Sequence, residues 1–152
     1  MSLESVRAFF RDKAPDVAVI ETADSSSTVE LAAKAHDVEP AQIAKTICLS
    51  VGDKVLLVVT SGTARLDNRK IKDAFGGKGR MLGADEVLAA TSHPVGGVCP
   101  FGLPSPLPIY CDVSLCRFAE VVPAAGSTNA AVKIATDRLA ALTDATWVDV
   151  CR

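Results

Sequence analysis

The sequence lacks the patterns that usually mark a catalytic or metal centre. It has only two histidines, His36 and His93, and contains no H-x-x-x-H motif, no phosphate-binding P-loop and no G-x-S-x-G motif. Its five cysteines are odd in number and form no C-x-x-C pair. Neither a zinc site nor a disulfide framework is therefore indicated, and the thiols fit a reducing compartment such as the cytoplasm.

The chain also lacks a strong charge of one sign and a long apolar run near its first residue. Its 16 basic and 18 acidic side chains leave a net charge of −2, which argues against an extended positively charged surface that binds nucleic acid. Residues 1–11 predict neither a signal peptide nor a membrane anchor. With 152 residues, 49% of them hydrophobic, we expect one domain over residues 1–152, located in the cytoplasm without membrane contact.

Strand and helix patterns follow one another without strict alternation. Two β-branched apolar runs, 45–51 and 55–60, are separated by Gly52-Asp53 and predict a central hairpin. Further strands are predicted at about 17–21, 107–113, 118–122, 131–135 and 147–150, and helices at about 2–14, 28–36, 67–75, 85–90 and 136–142. This order indicates a mixed α/β (α+β) fold around a largely antiparallel sheet of about seven strands.

A loop dense in glycine and proline runs from His93 to Pro104. Gly96, Gly97 and Gly102 allow positive φ and let backbone N–H groups approach a ligand closely. The prolines in the same segment limit how far the loop can move. A rigid connection between strands and a concave ligand-binding surface are both consistent with this pattern.

Two single residues could carry chemistry. Lys45 begins the first strand of the hairpin, where its side chain either extends to solvent, as most such lysines do, or points into a cleft. In a cleft its ammonium could hold a phosphate or a carbonyl oxygen. Cys99 lies near His93 in sequence and suggests a cysteine nucleophile, but no third residue that would orient the histidine is evident.

Basic residues cluster within sixteen positions. They are Arg65, Arg69, Lys70, Lys72, Lys78 and Arg80, with only Asp67 and Asp73 between them. A solvated helix surface is the commoner interpretation of such a cluster, and a local contact with RNA is the alternative.

Three separated segments together resemble a known family. They are Lys45-Thr46, residues 61–70 (SGTARLDNRK) and residues 96–102 (GGVCPFG), followed by Gly126-Ser127-Thr128-Asn129. In order and spacing these segments resemble the YbaK/prolyl-tRNA-synthetase-associated (INS-like) aminoacyl-tRNA editing domains over nearly the whole chain. The resemblance implies a barrel-like mixed sheet flanked by helices.

The resemblance also implies an activity. Members of this kind are trans-acting deacylases that hydrolyse the ester between a mischarged small amino acid and tRNA, and tRNA(Pro) is the expected carrier. Lys45 matches a lysine that contacts the terminal nucleotide, and Gly96 and Pro100 match a G-x-x-x-P loop whose backbone amides face the aminoacyl group. Backbone N–H groups would polarise the ester carbonyl, while water, a ribose hydroxyl or the substrate's own side chain attacks it.

Further residues receive expected roles from their place near these motifs or in the basic cluster. Substrate binding is expected of Thr46, Gly62, His93, Gly97, Val98, Cys99 and Ser127. Contact with tRNA is expected of Arg65, Arg69, Lys70, Lys78 and Arg80. The expected partners are the acceptor end of an aminoacyl-tRNA and an aminoacyl-tRNA synthetase, for a monomer or homodimer without metal or cofactor. Thr63 and Cys99 depart from the family pattern and leave alanine, cysteine, serine and threonine open as the amino acid removed.

Two other functions fit the same residues. A non-catalytic module that holds aminoacyl-tRNA or a nucleotide in the same cleft would show salt-sensitive binding without loss of the ester. A redox-responsive protein built on Cys99, Cys111 and Cys116 would need an accessible thiol of low pKa. The apolar neighbours of Cys111 predict that this residue is buried.

Overall fold

The chain forms five α-helices and a mixed sheet in a computed structural model that describes residues 2–152. The helices are α1 (Ser2–Lys13), α2 (Val29–His36), α3 (Asn68–Phe75), α4 (Ala84–Thr91) and α5 (Thr136–Thr143). The strands are β1 (Ile20–Glu21), β2 (Ile43–Val51), β3 (Lys54–Ser61), β4 (Gly79–Met81), β5 (Ile109–Asp112), β6 (Glu120–Pro123), β7 (Ala130–Ala131), β8 (Ile134–Ala135) and β9 (Thr146–Val148). Short 3₁₀ helices at Pro40–Gln42 and Val113–Arg117 precede β2 and β6.

The predicted hairpin lies at the centre of the sheet. Strands β2 and β3 pair antiparallel, and Val51 pairs with Lys54, so that Gly52 and Asp53 form a two-residue turn. Gly52 takes a φ of 60°, which this type of turn requires. The seven-stranded sheet has the order β8-β6-β2-β3-β5-β9, with β4 paired to β2, and it curls into a half-barrel. The predicted mixed α/β class is confirmed.

The direction of the strands differs in part from the prediction. Three pairings of this sheet, β2–β6, β3–β5 and β5–β9, are parallel, and three, β2–β3, β2–β4 and β6–β8, are antiparallel. Parallel neighbours need long crossover connections, which here contain the helices. The sheet is therefore mixed rather than largely antiparallel.

Strand β4 was not predicted from the sequence. The glycine-rich run before Arg80 has low strand propensity, yet Arg80 pairs with Ser50 near the C-terminal end of β2. The predicted strand at 131–135 is divided into β7 and β8, which pair with different strands. In both places pairing with a distant part of the chain decides the local structure.

Helix α1 attaches the glycine-proline loop to the main core. Val6 and Phe10, four residues apart on one side of the helix, are buried. The ring of Phe10 lies 4.7 Å from the ring of Phe101 in the loop. Burying an aromatic side chain of this size stabilises the fold by roughly 2–3 kcal/mol, so this contact holds the loop firmly.

Candidate active site

A cleft of about 270 Å³ lies between β2, the start of α2 and the glycine-proline loop. Most of its lining is apolar, and much of it is small. Five alanines contribute to the walls: Ala32, Ala44, Ala124, Ala130 and Ala131. Because alanine carries a single methyl group, these walls leave room for a ligand while presenting few polar groups to it.

Lys45 lies in the wall of this cleft, on β2 opposite Thr60 of β3. Its ammonium donates to the carbonyl oxygen of Ala64 at 2.6 Å. Among residues 2–152 it forms no salt bridge. Burial lowers the pKa of Lys45 below its usual range, and nearby Arg65 lowers it further, whereas Cys151 and Glu30 oppose the shift. The cleft wall thus contains a half-buried lysine that forms no salt bridge within residues 2–152.

The glycine-proline loop forms the opposite wall through Gly96 and Val98. Gly96 has a φ of 93°, and a Cβ at this position would lie 2.8 Å from the Cβ of Ser27. Only glycine fits so close to the segment before α2. Within the described part of the chain, the backbone N–H groups of Gly96 and Val98 donate to no protein acceptor. Two amides of the cleft wall are therefore available to a ligand.

Gly97 and Ser127 hold the loop in place and are not among the residues that line the cleft. The Gly97 N–H donates to Pro94 O at 2.8 Å, and the Gly97 carbonyl accepts from the Gly126 N–H at 3.0 Å. A Cβ on Gly97 would lie 2.8 Å from the Ser127 backbone. Gly62 is packed in a similar way against Pro40, and it also lies outside the cleft lining.

His93 and Cys99 are fully buried beneath the loop and do not line the cleft. The His93 Nε2 and the Phe101 carbonyl oxygen are 2.7 Å apart, and the Cys99 Sγ lies 3.5 Å from the same nitrogen. Burial raises the pKa of the Cys99 thiol to about 12. A buried thiol of this pKa is not a nucleophile at neutral pH. Pro100, also buried, lines a separate open groove on the other side of the loop.

The redox hypothesis finds no support at two of its three cysteines. Burial raises the pKa of Cys111 to about 12, as it does for Cys99, and both side chains are inaccessible. The burial predicted for Cys111 is confirmed. Cys116 is exposed, away from the cleft lining.

Thr46 lines the cleft. Its Oγ1 is buried without a hydrogen-bond partner in the described residues. An unpaired buried hydroxyl costs free energy unless a water or ligand reaches it. The role of Thr46 in substrate binding stays a prediction.

Several cleft residues were not predicted from the sequence. They come from the start of α2 (Ser26, Ser27, Thr28 and Val29), from β4 (Met81) and from the segment around β7 (Ala124, Ala130 and Ala131). The N-cap of α2 carries a recognisable signal, since the Thr28 side chain accepts from the Leu31 N–H. The alanines of the cleft carry no such sequence signal, because alanine is common in every structural environment.

The five basic residues expected to contact tRNA fall into two groups. Lys70 is bound to Asp149 at 3.0 Å and to the Cys151 carbonyl at 2.8 Å, and Arg80 pairs with Glu86. The other three are exposed and form no salt bridge within residues 2–152: Arg65, Arg69 and Lys78. Only the second group presents an uncompensated positive charge.

The half-barrel fold, with a lysine and a glycine loop lining one apolar cleft, fits the aminoacyl-tRNA editing domains. The family model for the aminoacyl-tRNA editing domain matches residues 23–142, so the chain belongs to this family. The matched range includes both walls of the cleft. The resemblance inferred from the separated motifs is confirmed.

The chain is also similar to individual proteins over nearly its whole length. The chain is 44% identical over 154 residues to the uncharacterized protein YwhH of Bacillus subtilis (strain 168), covering 100% of this chain and 98% of the relative. It is also similar to a solved protein proposed as a trans-editing enzyme for prolyl tRNA synthetase, with 32% identity, a TM-score of 0.93 and coverage of 99% and 97%. The hypothetical protein APE2540 has 28% identity, a TM-score of 0.90 and coverage of 97% and 99%.

One further finding concerns membranes. None of the helices within residues 2–152 is long and apolar enough to cross a bilayer.

Proposed function

We propose that the chain is a trans-acting aminoacyl-tRNA deacylase, a single editing domain over residues 1–152 that hydrolyses the ester of a mischarged small amino acid. The observation that carries this proposal is that Lys45, which forms no salt bridge within residues 2–152, lines the same apolar cleft as Gly96 and Val98, whose amides have no protein acceptor. A charge in such a place costs free energy unless a ligand supplies a negative group. The terminal nucleotide of a charged tRNA supplies one.

In this proposal Lys45 binds and orients the terminal nucleotide and does not attack the ester. Its ammonium is a compact charge suited to a phosphate or a carbonyl oxygen. The Ala64 carbonyl fixes the direction of the side chain before the substrate arrives. Such preorganisation means that little rearrangement is needed during the reaction.

The amides of Gly96 and Val98 polarise the ester carbonyl and stabilise the negative charge that develops on its oxygen. The attacking group is water, a ribose hydroxyl or the substrate's own side chain, held close to the ester carbon. A protein nucleophile is not required, which agrees with the burial of His93 and Cys99 beneath the loop.

A small aminoacyl group is the substrate in this proposal because small amino acids are the ones that escape synthetase selection. Synthetase pockets cannot strongly reject an amino acid smaller than their own, and a second pocket that admits only the smaller one corrects the error. The similarity to a protein proposed as a trans-editing enzyme for prolyl tRNA synthetase supports tRNA(Pro) as the carrier. Arg65, Arg69 and Lys78 then hold the acceptor end, with a synthetase as a second partner.

The test is single-turnover deacylation of tRNA(Pro) charged with alanine, cysteine, serine, threonine or proline. We expect the wild type to release one or two of the four smaller or polar amino acids and to leave proline in place. Lys45→Ala should lower that rate at least about 100-fold, as the loss of one preorganised electrostatic group does in other enzymes. Lys54→Ala, at an exposed lysine that begins the second strand of the same hairpin, is the matched control and should keep the wild-type rate.

Two results would overturn the proposal. An unchanged rate in Lys45→Ala would remove the lysine from the mechanism. Salt-sensitive binding of charged tRNA without release of any amino acid would instead identify a binding module that uses the same cleft.

A further inference from the structure

His93 lies at the start of the loop segment that forms the cleft wall, and both ring nitrogens of its side chain have partners. The Phe101 carbonyl oxygen can only accept, so the His93 Nε2 carries a hydrogen and donates to it at 2.7 Å. Burial lowers the pKa of His93, which favours the neutral ring. In the neutral ring Nδ1 is therefore an acceptor, and it accepts from the Ser2 hydroxyl at 2.5 Å. The ring thus connects the first residue of α1 to both ends of segment 93–101.

Ser2 connects this histidine to a second segment of the chain. A serine hydroxyl has only one hydrogen, so while it donates to His93 its Oγ contacts the carbonyl oxygen of Gly126, which is the alternative acceptor. The Gly126 N–H in turn donates to the Gly97 carbonyl at 3.0 Å. A closed chain of contacts therefore runs from Ser2 through His93 and along the loop to Gly97, then through Gly126 back to Ser2.

The first turn of α1 packs tightly against two glycines beside these contacts. A Cβ on Gly126 would lie 2.8 Å from the Ser2 carbonyl oxygen, and a Cβ on Gly102 would lie 2.7 Å from the backbone of Ser5. Both glycines have positive φ, at 93° and 63°. The first turn of α1 thus lies directly against the loop and against the segment at Gly126, at positions where no larger residue fits.

We propose that Ser2 and His93 act as positioning residues that hold segment 94–98 so that the Gly96 and Val98 amides meet the ester carbonyl. This inference rests on the deacylase function proposed above. Neither side chain touches the cleft, so both act only through the loop backbone. Displacing a catalytic group by about 1 Å can lower a rate about 100-fold, so a small release of the loop is enough to impair the reaction.

The test compares Ser2→Ala, Ser2→Thr, His93→Gln and the matched control Ser5→Ala in the full chain. Ser5 lies in the same helical turn, and its hydroxyl donates only to the Ser2 carbonyl. We expect Ser2→Ala and His93→Gln to lower the single-turnover deacylation rate at saturating substrate about tenfold. The substrate Kd should change by less than about twofold, since the loss falls on the reaction and not on binding.

Ser2→Thr, which keeps the hydroxyl, should stay within about threefold of the wild-type rate, and Ser5→Ala within about twofold. Rates are measured well below each variant's melting temperature, so that loss of folded protein does not contribute. The inference is overturned if Ser5→Ala is as slow as Ser2→Ala, if Ser2→Thr does not restore the rate, or if only the Kd changes.

Hydrogen exchange of the Gly97 and Gly126 amides separates this inference from the proposed function. Both amides donate within the closed chain of contacts, so Ser2→Ala should speed their exchange at least about fivefold, and Ser5→Ala should not. Unchanged exchange in Ser2→Ala overturns the positioning role whatever the activity. Faster exchange in a protein whose wild type hydrolyses no aminoacyl-tRNA supports the positioning of the loop and rejects the deacylase function.

Discussion

The two sides of the glycine-proline loop differ in how their polar groups are used. On the cleft side, the Gly96 and Val98 amides have no protein acceptor and the Lys45 ammonium across the cleft has no counter-ion. On the buried side, both nitrogens of the His93 ring are hydrogen bonded and the Cys99 thiol is enclosed. Unused hydrogen-bonding capacity, more than reactive residue type, marks the side on which a ligand binds.

This comparison identifies which residues should be mutated to test the function of the cleft. Histidine and cysteine are the side chains most often associated with catalysis, and here both belong to the framework of the loop. The cleft itself is lined by one lysine, one cysteine, two serines, two threonines, one glycine and apolar residues, five of which are alanines. Its chemistry therefore depends mainly on backbone position.

The strongest challenge to the comparison is Gly96→Ala. The new methyl group would lie 2.8 Å from Ser27, and the φ of 93° disfavours any side chain, so the loop must move. We expect the deacylation rate to fall about 100-fold. Gly52→Ala is the control, because Gly52 also has positive φ but no atom within 4 Å of the added Cβ. Gly52→Ala should lower the free energy of unfolding by about 1 kcal/mol and leave the deacylation rate unchanged. An equal loss of deacylation rate in both variants would show that backbone strain alone is responsible.

A second challenge is Cys99→Ala on the buried side. Removing the sulfur leaves a small cavity, and we expect the free energy of unfolding to fall by about 1 kcal/mol in urea titrations. The deacylation rate of the folded protein should not change, because the thiol lies beneath the loop. A tenfold slower reaction in this variant would place Cys99 in the chemistry and contradict the comparison.

The buried histidines should also make the stability of the protein depend on pH. Burial lowers the pKa of His36 and of His93 below the usual value of 6.5, so both rings are neutral in the folded state. The unfolded chain binds protons at higher pH than the folded chain does, and the free energy of unfolding therefore decreases as the pH falls below about 6.5. Urea unfolding between about pH 7.5 and pH 5 measures this slope. His36→Leu should flatten it, and a slope unchanged by this substitution would show that His36 does not contribute.

The smallest expected effect concerns the exposed basic residues. Arg65→Gln removes a charge without a protein partner near Lys45, and we expect the Kd for charged tRNA to rise about threefold at low salt. Lys70→Gln breaks the contacts to Asp149 and Cys151 and should act mainly on stability. Filter binding at two salt concentrations distinguishes these outcomes. If Lys70→Gln raised the Kd more than Arg65→Gln did, the distinction between salt-bridged and unpaired basic residues would be wrong.

Much of the fold could be predicted because local signals agreed with it. The apolar runs around Gly52-Asp53 specify the hairpin, Asp67 caps α3 by accepting from the Arg69 and Lys70 amides, and Gly76 ends that helix with a φ of 77°. The direction of β5, β6 and β9 and the existence of β4 could not be predicted. These depend on pairing with strands far away in sequence, for which a single sequence contains no direct signal.

The candidate site was predicted in part for a related reason. The family motif identified Lys45 and Gly96, and both lie in the cleft. It also included Cys99 and Pro100, which do not line the cleft, and His93 was expected beside the substrate because it lies close to this loop in sequence. A sequence motif does not show which side of a loop each residue occupies. Whether a group is hydrogen bonded within the protein is a three-dimensional property, and it separates these residues here.

The Ala64 carbonyl that orients Lys45 lies beside a long-range backbone pairing. The neighbouring residues 65–67 pair with residues 150–152 through the bonds from Asp67 N–H to Val150 O and from Arg152 N–H to Arg65 O. The anchor of the lysine therefore depends on backbone from a part of the chain that is distant in sequence and contributes nothing to the cleft lining. Contacts of such large sequence separation form slowly in folding. A substitution near residue 151 can thus alter the direction of the Lys45 side chain without changing any cleft residue.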